Sequence, residues 1–130
     1  MCVPSEKAEY RLMKKILFSI AVLSMIALAG CASKPTEPVY PSAQIDTLAQ
    51  CLTTNGLKMY GTLRCPHCQN QKKLFGESVS KITFIDCDPN RVQCISAGIE
   101  NFPTWIAADG QKYVGEQSLG ELATIAGCSL

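Results

Sequence analysis

Leu57-Lys58-Met59-Tyr60-Gly61-Thr62-Leu63-Arg64-Cys65-Pro66-His67-Cys68-Gln69-Asn70-Gln71-Lys72-Lys73-Leu74-Phe75-Gly76 is the stretch that decides the fold. Its first seven residues read as a strand, and Cys65-Pro66-His67-Cys68 follows directly. Pro66 suits the first turn of a helix, where its missing N–H costs nothing. The helix is predicted to run through Gln69, Gln71, Leu74 and Phe75 and to stop near Gly76. Two cysteines three positions apart at such a junction share one helical turn. The N–H groups at a helix start have no intrahelical partner, and the dipole there favours negative charge. The pattern therefore supports a thiolate on Cys65, and the thiolate is the attacking form of cysteine. His67 is expected to add an N–H donor beside it. Cys68, one turn further in, is the expected resolving thiol.

Working outward, Ala43 to Thr54 is predicted helical, with Ser42 as its cap and Ile45, Leu48, Ala49 and Leu52 on one face. Asn55-Gly56 stops it. Ile82 to Ile85 reads as a second strand, Arg91 to Ala97 as a short helix ended by Gly98, and Thr104 to Ala108 as a third strand. Asp109-Gly110 is a hairpin signal leading to a fourth strand at Lys112–Val114. Ser118 and Glu121 form a capping box for a last helix whose Leu119, Leu122, Ala123 and Ile125 face the core. Trp105 is a core candidate. The β-α-β unit is expected to be parallel and right-handed. The fold class that follows is α/β, with a mixed four-stranded sheet flanked by helices and preceded by an extra N-terminal helix.

Pro103, between Phe102 and Thr104, is the second element of chemical interest. X–Pro bonds adopt the cis form at modest cost. A cis Pro103 opposite Cys65 would present the Phe102 backbone to an extended partner segment. The alternative is an ordinary trans proline at a strand start.

The chain has 130 residues, enough for one domain. Met13-Lys14-Lys15, the uncharged apolar run Ile16–Ala29 and the small residues before Cys31 describe a secretory signal. Its end, Leu28-Ala29-Gly30-Cys31, resembles the bacterial lipoprotein signal, in which cleavage before the cysteine is followed by acylation. That resemblance implies a lipid on Cys31 and a lipid-anchored product on the periplasmic face of a bacterial membrane, with the outer membrane as a candidate because Ala32 follows the cysteine. Residues 1–31 are then the signal region, with translation expected to start at Met13, so that residues 1–12 are not part of the product. Residues 32–42, carrying Pro35, Pro38 and Pro41, read as a semi-rigid tether, and 43–130 as the domain. Beyond Cys31 the chain has 8 Lys/Arg against 9 Asp/Glu, a net charge of −1. This balance argues against nucleic acid or anionic lipid as an electrostatic partner.

Six cysteines remain after Cys2 and Cys31, an even number that points to disulfides in an exported chain. Cys87 with Cys94, and Cys51 with Cys128, are the candidate structural pairs, although sequence does not decide connectivity. A four-cysteine metal site built from Cys65, Cys68, Cys87 and Cys94 lacks the second tight knuckle such sites use. His67 is the sole histidine. No metal and no cofactor is therefore expected.

The combination of Cys65-Pro66-His67-Cys68 opening a helix with Phe102-Pro103-Thr104 before an Asp-Gly hairpin resembles the thioredoxin superfamily. Within it, Met59-Tyr60-Gly61, Gln71-Lys72-Lys73-Leu74-Phe75-Gly76, Trp105 and Gln117-Ser118-Leu119 are similar to the thioredoxin-like domain associated with bacterial vitamin K epoxide reductase homologues. The resemblance implies a protein-disulfide oxidoreductase. Its catalytic residues would be Cys65, Pro66, His67, Cys68 and Pro103, and Phe102 and Thr104 would contact substrate. Its partners would be protein thiols and disulfides and a quinone-linked membrane oxidoreductase. The competing readings are a redox-silent binding module on the same fold and a cysteine-based metal-binding protein.

Overall fold

The computed structural model describes residues 38–130. The lipidation candidate Cys31, the signal region 1–31, the start at Met13 and most of the tether lie outside the described residues. Helix α1 spans Ser42–Thr54, strand β1 Lys58–Gly61 and helix α2 Pro66–Lys73. A 3-10 helix at Gly76–Lys81 leads to β2 at Thr83–Asp86. Then come α3 at Arg91–Ser96, β3 at Thr104–Ile106, β4 at Lys112–Val114 and α4 at Leu119–Ala126. The strands form one sheet in the order β2-β1-β3-β4. β1 runs parallel to β2, with Met59 opposite Phe84, while β1–β3 and β3–β4 are antiparallel. This is the expected α/β, thioredoxin-like arrangement.

Side chains alternate across a strand, and β1 puts Met59 and Gly61 on one face and Tyr60 on the other. The Met59 face carries the larger core. Leu48, Ala49 and Leu52 of α1 meet Trp105, Phe75, Leu119 and Leu122 there. The Tyr60 face is covered by α3 and the loop after it, through Cys94, Ala97 and Ile99. Cys87–Cys94 bridges that side, and Cys51–Cys128 joins the end of α1 to the residues after α4. The second junction is reinforced by Asn55 Nδ2, which donates to the Ala126 carbonyl at 2.8 Å.

Three expectations need correction. Ser42 is not the cap of α1. The helix begins at Ser42 itself, and Pro41 holds the cap position without a side-chain cap. Pro41 ends the extended approach, and its carbonyl accepts the first N–H groups, from Gln44 and Ile45. The helix after Cys65 ends at Lys73, and the 3-10 helix at Gly76–Lys81 was not anticipated. Gly76 takes φ +52, which turns the chain. The new helix is held by tertiary contacts that have no sequence period. Ser78 Oγ donates to Asp46 Oδ1 at 3.0 Å, and Lys81 pairs with the same carboxylate. Strands β1 and β3 are also shorter than expected. β1 stops at Gly61, and β3 stops at Ile106, where the Ala107–Gly110 turn begins. The capping box of α4 forms as expected, and Gly127 ends that helix in the left-handed conformation.

Candidate active site

Cys65 is the N-cap of α2, in an extended conformation, and Pro66 is the first helical residue. The cap is made by sulfur. The Cys68 N–H donates to Cys65 Sγ at 3.4 Å, so a helix-start donor is aimed at the atom that would carry negative charge. On its other side, the Cys65 thiol faces the Phe102 carbonyl at 3.8 Å. The Phe102–Pro103 peptide is cis. Cys65 is partly exposed, Cys68 is fully buried, and both are free thiols.

The two sulfurs therefore stand in different surroundings. Burial, and then its hydrogen bond with Cys65, push the Cys68 thiol up from an ordinary 9.0 to about 11, against a hydrogen bond from the Thr62 backbone that acts the other way. In the reduced folded protein Cys68 keeps its proton to about pH 11, whereas unfolded Cys68 releases it near pH 9. Between those values the unfolded chain binds fewer protons, so stability falls as pH rises. The expected loss is on the order of 2 kcal/mol between pH 9 and pH 11. Urea titrations of the reduced protein across that window should show it, and Cys68→Ala should remove this part of the slope.

The space for Cys68 is made by Gly61. A Cβ on Gly61 would lie 2.5 Å from Cys68 Sγ and 3.4 Å from the Phe84 ring. Sulfur on a short side chain held by helix α2 has little room to retreat. Gly61→Ala is thus expected to cost about 1–3 kcal/mol of overpacking in a denaturant titration. Lys72, one turn beyond Cys68, rests its ammonium 3.2 Å from the centroid of the Phe84 ring. Burial lowers Lys72 from its ordinary range, while the charges of Cys68 and Asp86 oppose that shift.

Gln71 fixes α2 against the rest of the domain. Fully buried, it accepts from Trp105 Nε1 at 3.3 Å and from the Gln117 N–H at 2.7 Å, and it donates to the Gln117 carbonyl at 2.9 Å. A buried amide must be paired, and three bonds meet that need. The sequence places Gln71 in the helix and in the stretch that carries the family resemblance, with no contact assigned to its side chain. Its spacing of three from Cys68 was the available signal that a polar side chain points inward.

The structure brings Cys65, Pro66, Cys68, Phe102 and Pro103 together. His67 and Thr104 make contacts of their own. His67 Nδ1 lies 2.6 Å from Glu116 Oε1, so that nitrogen serves a carboxylate rather than Cys65. Thr104 is buried, and its hydroxyl donates to the Asn101 carbonyl at 2.7 Å. Its backbone pairs with β1 and β4, and its side chain holds the Pro103 loop. Beside Phe102 and Thr62 lies a hollow lined also by Arg91, Ile95 and Ile99. Cys87 and Cys94 are bonded to each other, which removes them from any four-thiolate metal set. Among the described residues, no group of three His, Cys, Asp or Glu side chains is placed to hold a metal ion.

The fold and site together define a thioredoxin-like α/β domain with a dithiol at a helix start. No family model matches the chain. Among curated proteins it is similar to the thiol-disulfide oxidoreductase LTO1 of Arabidopsis thaliana, with 40% identity over 92 residues. The match covers 64% of this chain and 24% of that protein, so the chain spans about a quarter of the relative's length.

Proposed function

We infer that this protein is a thiol-disulfide oxidoreductase in which Cys65 attacks and Cys68 resolves. The asymmetry of the two sulfurs supports this reading most strongly. One is partly exposed and receives an N–H at the helix start, and the other is buried and holds its proton. In the reducing direction, the Cys65 thiolate forms a bond to one sulfur of a partner disulfide. The partner's other sulfur leaves with the electron pair and takes up a proton. Cys68 then gives up its proton and attacks Cys65 Sγ, releasing the partner's second thiol. Two electrons pass to the partner, and Cys65–Cys68 becomes a disulfide. The oxidising direction is the same sequence reversed.

The partner is a protein segment lying extended across the Phe102 carbonyl, with a side chain in the hollow by Ile95 and Ile99. The name of the Arabidopsis relative supports the activity class. The signal-like N-terminus, the lipoprotein-like end at Cys31 and the two disulfides support work at the periplasmic face of a bacterial membrane, anchored through Cys31. The resemblance to vitamin K epoxide reductase-associated domains supports a quinone-linked membrane oxidoreductase as the electron partner. The purified protein should accelerate disulfide formation or reduction in a denatured, cysteine-containing protein held in a glutathione buffer. Failure to accelerate either direction would refute the reading.

A further inference from the structure

Glu116 lies between β4 and α4, forty-nine positions from His67, yet it meets the active-site helix. Its Oε1 is 2.6 Å from His67 Nδ1 and accepts from Asn70 Nδ2 at 3.4 Å. A carboxylate can only accept here, so the imidazole presents Nδ1–H to it. The backbone on both sides of Glu116 is anchored to the site. The Gly115 N–H donates to the Pro103 carbonyl at 2.8 Å, and the Gln117 N–H donates to Gln71 Oε1 at 2.7 Å. Gly115 adopts φ +94, a conformation that L side chains rarely take. The carboxylate is therefore delivered by a segment fixed to the Pro103 loop at one end and to α2 at the other.

We propose that Glu116 is a positioning residue for the Cys65–Cys68 couple that acts through His67, tying up the imidazole and so holding the dithiol form less favoured than it would otherwise be. This deepens the oxidoreductase reading and rests on it. The attacking form of the Cys65 sulfur in the dithiol state is the thiolate, and an imidazole N–H or imidazolium beside it would stabilise that form. Glu116 spends one N–H of that ring and sets a negative charge against it. Releasing His67 should shift the couple toward dithiol. The His67 side chain is 70% exposed and that of Glu116 37%, so solvent screens the pair and the expected effect is modest, about two- to fivefold.

The test is the equilibrium constant with glutathione, measured on the native protein, Glu116→Gln, His67→Ala and the double variant. A change confined to folding would not move this constant. Support requires that Glu116→Gln raise the dithiol-to-disulfide ratio by about twofold or more, and that the same substitution in the His67→Ala background give less than half that shift on a logarithmic scale. A smaller shift, a shift toward disulfide, or an equal shift without His67 overturns the proposal. If the native protein does not cycle with glutathione at all, the oxidoreductase reading fails first, and that result is distinct from an indifferent Glu116.

Discussion

Cys65→Ala abolishes disulfide exchange, and Cys68→Ala leaves the protein covalently joined to its partners: this is the expected outcome in cells and in vitro. The two substitutions remove atoms three residues apart, yet the results differ in kind. Without Cys65 no sulfur at the helix start can attack. Cys68 cannot replace it, because it is fully buried and protonated to about pH 11. Exchange should fall by roughly a thousandfold or more, as when a nucleophile is removed from a site whose parts act as a unit. Without Cys68 the first bond still forms, since Cys65 keeps its exposure and the Phe102 carbonyl beside it. The mixed disulfide then lacks an internal resolving thiol and persists until an external one arrives. Non-reducing gels of cell extracts, with adducts identified by mass spectrometry, check this. Adducts on Cys68→Ala that survive in the double Cys65→Ala/Cys68→Ala variant would show that another cysteine is responsible.

The second large effect concerns the two disulfides, which are expected to be unequal. Cys51–Cys128 closes the longer loop, with a sequence separation of 77 against 7 for Cys87–Cys94. In the chain-entropy model the longer bridge contributes about 4.5 kcal/mol and the shorter about 2.5 kcal/mol. The domain binds its first helix to its last by this bridge, by the Asn55–Ala126 hydrogen bond and by packing of α1 against α4. A domain of this size has a stability of the order of 5–15 kcal/mol, so Cys51→Ala/Cys128→Ala should remove between about a third and nearly all of it. Denaturant midpoints of the two double variants measure the difference. A Cys87→Ala/Cys94→Ala loss equal to or greater than the other would contradict the entropic ordering and place the cost in the core under Tyr60.

What could be read from the sequence was whatever depends on local spacing. The α4 capping box at Ser118 and Glu121, the strand at Lys112–Val114 after Asp109-Gly110, and the Cys65–Cys68 turn depend on residues within a few positions of one another. Their physics is complete at that range. The inward face of α1 was visible for the same reason, through Leu48, Ala49 and Leu52. What escaped depends on contacts between distant segments. The 3-10 helix at Gly76–Lys81 is held by Asp46, more than thirty positions away. The role of Gln71 appears only when Trp105 and Gln117 are brought to it. Glu116 has no local signal at all, because its importance comes from where the β4–α4 connection passes. The Thr104 hydroxyl bond to the Asn101 carbonyl likewise has no sequence signal, because it depends on how the loop before Pro103 folds back.

The central claim is that Cys65 is the accessible nucleophile and Cys68 the protected resolving thiol. Reducing the Cys65–Cys68 couple while Cys51–Cys128 and Cys87–Cys94 stay bonded, alkylating with a limiting amount of iodoacetamide at pH 7 and mapping the label on the two thiols by peptide mass spectrometry tests this directly. Of the two, Cys65 is expected to take the label, with Cys68 modified only after denaturant is added. Equal labelling of both thiols, or earlier labelling of Cys68, would contradict the assignment.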